Sequence, residues 1–87
     1  MTPETPENRL RRMHMRSMRR GIKEMDLILS AYAAAELARM DAGRLDLYDA
    51  LLHENDQDLY QWITGQAAAP ERFAELIADI SQALQKQ

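Results

Sequence analysis

The stretch Ile22-Lys23-Glu24-Met25-Asp26-Leu27-Ile28-Leu29-Ser30-Ala31-Tyr32-Ala33-Ala34-Ala35-Glu36-Leu37-Ala38-Arg39-Met40 decides the fold. Ile22, Met25, Leu29, Tyr32, Ala33, Leu37 and Met40 recur at the spacing of an α-helix that buries one face. Leu27 and Ile28 widen that face, which predicts the central, most buried helix of the molecule. The Ala33-Ala34-Ala35 run favours helix and permits close approach of a neighbour.

On the N-terminal side, Gly21 breaks the pattern and separates this helix from another over Glu7 to Ser17. The apolar positions there are Leu10, Met13 and, one turn on, Ser17 or Met18, with Arg9, Arg12 and Arg16 opposite. Residues 1–6 hold two prolines and no periodicity and read as a disordered tail. On the C-terminal side, Asp41 is a cap for a third helix carrying Leu45, Tyr48, Leu51 and Leu52. His53 to Asn55 end it. A short fourth helix follows with Leu59, Trp62 and Ile63 inward, Asp56 and Asp58 at its start and Gly65 as its stop. Pro70 opens a fifth helix whose Phe73, Leu76, Ile77, Ile80 and Leu84 form an amphipathic stripe. No segment alternates with period two. The expectation is an all-α fold, a compact five-helix bundle, with residues 7–87 as a single domain.

Composition narrows the chemistry. The 87 residues include no cysteine, which excludes disulfides, thiolate nucleophiles and thiolate metal sites. No apolar run approaches the roughly 20 residues that span a bilayer, and no apolar segment follows the basic residues as in a signal peptide. His14 and His53 are the only histidines. His14 sits among arginines. His53 lies near Glu54, Asp56 and Asp58, but a metal site needs three or four converging ligands, and solvated acids at a helix end explain the cluster as well. Asp56 and Asp58 as an acid/base pair compete with the ordinary role of acids at a helix start. Gly21, Gly43 and Gly65 are scattered and form no phosphate loop. No catalytic residue, cofactor site or metal site is assigned.

The net charge of −3 conceals a division. Residues 9–23 carry Arg9, Arg11, Arg12, Arg16, Arg19, Arg20 and Lys23 with no acid, while residues 24–87 carry twelve acids against four cations. The basic stretch admits a solvated face, a nucleic-acid surface, a targeting peptide or a protein partner. Residues 7–24 lack aromatics to stack on bases, and the rest of the chain would repel phosphate. Glu4, Glu7 and the prolines oppose a targeting peptide. Arginines beside a glycine, with Met13, Met15 and Met18 close by, suit a close protein contact best.

Arg20-Gly21-Ile22-Lys23-Glu24, preceded by Arg19, resembles the RGxxE signature of the SdhE family, small succinate dehydrogenase assembly (flavinylation) factors. Asp26 followed by Leu27-Ile28-Leu29 resembles that family's acidic residue and leucine run. Leu51-Leu52 and Asp56-Gln57-Asp58-Leu59-Tyr60-Gln61-Trp62-Ile63 resemble its D-x-D-L-x-x-W segment. The resemblance covers about residues 9–80. It implies a helical bundle that is not itself an enzyme. Such a protein binds the flavoprotein subunit of succinate dehydrogenase, and in bacteria often that of fumarate reductase, and promotes covalent attachment of FAD to it. FAD would then be the partner's cofactor, with no nucleic acid and no membrane insertion involved. Carried over, Arg20, Gly21 and Glu24 form the functional contact, with Arg19 and Asp26 in support, while Trp62 and the Asp56/Asp58 pair hold the fold. Gly21 would let the backbone press against the partner, and Arg20 and Glu24 would fix the register. A short acidic leader without a transit peptide implies the bacterial cytoplasm.

Overall fold

Thr5 accepts a hydrogen bond from the Asn8 N–H at 3.2 Å, and Pro6 takes the first helical position, where its missing N–H is no loss. The first helix, α1, therefore spans Pro6–Ser17 and begins one residue before the expected start. The computed structural model describes residues 4–85, so residues 1–3 of the expected tail and residues 86–87 lie outside the described residues.

Four further helices follow: α2 (Lys23–Glu36), α3 (Ala42–Leu51), α4 (Asp56–Ile63) and α5 (Ala74–Gln85). Among the described residues there is no strand. The long helix expected to reach Met40 instead stops at Glu36 and tightens into a 3-10 turn, Leu37–Arg39. The cause lies just beyond: Asp41 caps α3 by accepting from the Arg44 N–H at 2.8 Å, which requires extended backbone before it. Asn55, not Asp56 or Asp58, is the side-chain cap of α4, through the Gln57 N–H at 2.8 Å. Gly65, at φ 81°, ends α4 with paired bonds, its own N–H to the Trp62 carbonyl and the Gln66 N–H to the Gln61 carbonyl. The fifth helix starts later than Pro70 implies, because Glu71–Phe73 form a 3-10 turn ahead of Ala74.

α2 packs on α1, α4 and α5 and supplies Met25, Leu29, Tyr32 and Ala33 to the core. Met13, Leu51, Leu59, Phe73, Leu76 and Ile80 close around them. Leu27 departs from expectation: it is 63% exposed. It lies two residues from Met25, about 200° around the helix, and so points away from the buried stripe. Ser17 rather than Met18 is buried at the end of α1. Its hydroxyl donates to the Met13 carbonyl at 2.8 Å and meets the Tyr48 hydroxyl at 2.7 Å. That pair ties α3 to α1, and burial pushes the Tyr48 phenol up to about 12. Trp62 is half-buried and packs against Phe73 at 6.3 Å between ring centroids.

A second tie between α1 and α3 is ionic. Arg12 donates to both oxygens of Asp49, at 2.9 and 2.8 Å, and to Glu4, while Arg9 pairs with Asp46. The hydrogen bonds from Arg12 hold the Asp49 carboxyl below the ordinary aspartate value, against a smaller opposing effect of burial. A depressed value means the stabilisation is complete above the unfolded-state pKa and is lost as pH falls through the folded-state pKa. Below about pH 4 the urea midpoint should therefore drop more in the wild type than in Arg12→Met. Leu29 has no exposed surface, so Leu29→Ala should lower the unfolding free energy by about 2–5 kcal/mol in urea titrations.

Candidate functional site

The turn between α1 and α2 has little regular hydrogen bonding of its own, and side chains from elsewhere hold it in shape. Arg19 sits at φ 54°, the left-handed region that side chains other than glycine seldom adopt. Its N–H donates to Asp26 Oδ2 at 2.9 Å. The single Ser30 hydroxyl proton is shared between Asp26 Oδ1 at 3.2 Å and the Ser17 carbonyl at 3.3 Å. Asp26 and Ser30, one helical turn apart on α2, thus fasten the exit of α1.

Arg20 is the centre of the corner. Nε donates to Asp56 Oδ1 at 2.7 Å, and Nη1 donates to the Arg16 carbonyl at 2.9 Å and the Leu52 carbonyl at 3.0 Å. Nη2 adds a longer bond to the Glu54 carbonyl at 3.3 Å. One guanidinium therefore satisfies carbonyls left over at the ends of both α1 and α3, where a positive charge also suits the helix dipoles. Its side chain is only 9% exposed. The second oxygen of Asp56 accepts from the Gly21 N–H at 2.7 Å. Asp56 lies in the first turn of α4, where the dipole favours its negative charge.

The predicted site residues separate into two groups. Arg20, Gly21 and Asp26 are engaged within the chain through the contacts above. Arg19 and Glu24 have exposed side chains that make no hydrogen bond or ion pair among the described residues. Met15, Met18 and Leu27 are the exposed large apolar residues among the described ones, and Met15 and Met18 border this corner. Met15, Met18 and Arg19 line a shallow depression whose floor includes Gly21 and Asp56. Glu24 and Leu27 line a second, more apolar one with Ile28, Tyr60 and Leu84. The reach of Asp56 to Arg20 across 36 positions has no signal in a single sequence. The exposure of Leu27 does have one, in its offset from the Met25–Leu29–Tyr32 stripe. His53 is exposed, and no group of three metal-ligating side chains assembles among the described residues.

Chemically, the corner offers a rigid backbone, two oppositely charged side chains and exposed thioethers, the equipment of a helical binding module. The family of the flavinator of succinate dehydrogenase matches residues 11–84. Succinate dehydrogenase assembly factor 2, mitochondrial, of Candida glabrata is 42% identical over 73 residues, covering 80% of this chain and 48% of that protein. Its namesake in Meyerozyma guilliermondii is 39% identical over 88 residues, covering 98% of this chain and 64% of that protein. The Schizosaccharomyces pombe protein is 39% identical over 70 residues, covering 80% and 50%. The chain belongs to this family of succinate dehydrogenase flavinators. It spans about half to two thirds of the length of these relatives. Their names place them in mitochondria, which conflicts with the bacterial compartment expected from the leader. Among the described residues no helix is long and apolar enough to cross a membrane.

The two neighbouring arginines should respond in opposite ways to substitution. Arg20→Lys keeps the charge but loses the fork, and should cost about 2 kcal/mol in urea unfolding. Arg19→Gly removes an exposed side chain from a left-handed backbone and should unfold at or above the wild-type midpoint. A loss above about 1 kcal/mol would mean that the Arg19 side chain supports the fold.

Proposed function

We propose that this chain is an assembly factor that binds the flavoprotein subunit of succinate dehydrogenase, and that of fumarate reductase where one is present. In this reading it promotes covalent attachment of FAD to a histidine of that subunit. The observation that carries this is the family match over residues 11–84, which contains the whole α1–α2 corner. The corner supports it physically. Met15 and Met18 supply adaptable apolar contact, and Arg19 and Glu24 supply charges of opposite sign to fix the register.

The FAD belongs to the partner. A dinucleotide site of the Rossmann type rests on a glycine-rich turn between a parallel strand and a helix, and the described residues form helices without a strand. Bound in the partner, the flavin supplies the electrophilic ring position to which the histidine becomes attached. This chain contributes no reacting group and acts by holding the flavoprotein in an arrangement where those two groups meet. Orientation alone can supply about 7–11 kcal/mol to such a step. It acts in whichever compartment the flavoprotein matures.

A nucleic-acid role fits the structure less well. Arg9, Arg12 and Arg20 are turned onto Asp46, Asp49 and Asp56, which removes much of the basic stretch from contact with phosphate. Covalent flavin fluorescence of the flavoprotein subunit on a denaturing gel, co-produced with or without this chain, tests the proposal. The fluorescent band should depend on the chain and weaken by about tenfold with Glu24→Ala, the loss expected for one charge-assisted hydrogen bond. Equal fluorescence in every lane, with a flavoprotein that requires assistance, removes the reading.

A further inference from the structure

A glycine at a docking corner invites the view that the partner presses on it. Its surroundings offer a second reason for a glycine. A Cβ built on Gly21 would stand 3.1 Å from Asp56 Oδ2, a contact tighter than a carbon and an oxygen normally accept. The φ angle of Gly21 is not in the left-handed region, so backbone conformation does not demand glycine there. Nor can Asp56 retreat easily. Oδ1 is held by Arg20 Nε at 2.7 Å and Oδ2 by the Gly21 N–H at 2.7 Å, so any retreat stretches two short charge-assisted bonds.

Asp56 is also not needed at its own helix end, because Asn55 already caps α4. Its side chain instead crosses to the turn, and it is 16% exposed at the floor of the depression lined by Met15, Met18 and Arg19. Moving this carboxylate would shift Arg20 and with it the ends of α1 and α3 that Arg20 joins.

Resting on the functional reading above, we propose that Asp56 is the positioning residue of the flavoprotein-facing corner, and that position 21 must be glycine to admit the Asp56 carboxylate rather than the partner. Asp56 sets the path of Arg19–Gly21 and so the placement of the outward Met15, Met18, Arg19 and Glu24 side chains. The requirement for glycine is thereby internal to this chain.

A double-mutant cycle between positions 21 and 56 tests this, read as affinity for the purified flavoprotein subunit. Gly21→Ala should weaken binding by about tenfold through overpacking against Asp56. Asp56→Ser shortens the side chain and releases the turn, and should weaken binding comparably. Adding Gly21→Ala to Asp56→Ser should then change affinity by less than about twofold, because the clash has gone. If Gly21→Ala costs the same factor in both backgrounds, the partner needs the bare glycine and the proposal is overturned. Should Asp56→Ser fail to fold, Asp56→Asn replaces it with the opposite expectation. It keeps the size and therefore the clash, so Gly21→Ala should remain costly. A negligible Gly21→Ala effect there overturns the proposal.

A second readout does not involve the partner. The chain has three glycines, so their amide resonances are readily assigned. Asp56→Ser should move the Gly21 amide strongly and leave those of Gly43 and Gly65 in place. An unmoved Gly21 amide overturns the proposal on its own. A wild-type chain that fails to bind the flavoprotein at all removes the functional reading instead, a result distinct from either outcome at position 56.

Discussion

The hydrogen bonds of the Arg20 guanidinium are the constraint on which the rest of the molecule depends. A cation with its side chain 9% exposed would be costly to leave unpaired, by several kcal/mol. Here it meets a carboxylate and three backbone carbonyls at once. No buried side-chain nitrogen or oxygen among the described residues lacks a partner. The effect is topological as much as energetic. α3 is anchored by Tyr48, Leu51 and Leu52 in the core, and side-chain ties add to this: Tyr48 to Ser17, Arg12 to Asp49, and Arg20 to the Leu52 carbonyl. Of these the Arg20 tie alone joins the ends of α1 and α3 to the start of α4. The Arg9 and Arg12 pairs are more exposed and worth at most about 1 kcal/mol each by comparison with other surface pairs.

The basic stretch of residues 9–23 therefore does two jobs. Arg9, Arg12 and Arg20 face acids of the same chain and knit α1 to α3 and α4. Arg11, Arg16 and Arg19 have exposed side chains with no ion pair among the described residues. Charge asymmetry along the sequence thus overstates charge asymmetry on the surface, since part of it cancels on folding. What remains outward is concentrated beside Met15 and Met18. This favours a partner that combines acidic with apolar groups over a uniformly charged polymer.

Periodicity made most of the bundle legible. The Met25–Leu29–Tyr32–Leu37 stripe is core, Asp41 and Gly65 bound helices as their residue types suggest, and α5 buries Leu76, Ile77 and Ile80. The same periodicity, applied strictly, leaves Leu27 outside, yet hydrophobicity drew it inward. The remainder was not legible because it is non-local. Asp56 could be recognised as an acid at a helix start, and its residue type says nothing of a guanidinium 36 positions earlier. The left-handed Arg19 was equally hidden, since arginine carries no preference for that conformation. It is held there by Asp26 in the next helix.

The five-residue motif Arg20–Glu24 turns out to mix residues with different addressees. Arg20 and Gly21 speak to Asp56, while Glu24 faces solvent in the first turn of α2. The division has a physical use. Docking loses affinity in proportion to the freedom that must be frozen, and backbone freedom is the larger share. At this corner the backbone is already fixed by Asp26 and Asp56, so only exposed side chains remain to be ordered. Two of those side chains, Met15 and Met18, are methionines, whose unbranched thioethers adapt to a surface without strain. A stiff turn carrying compliant side chains therefore gives up little freedom on docking.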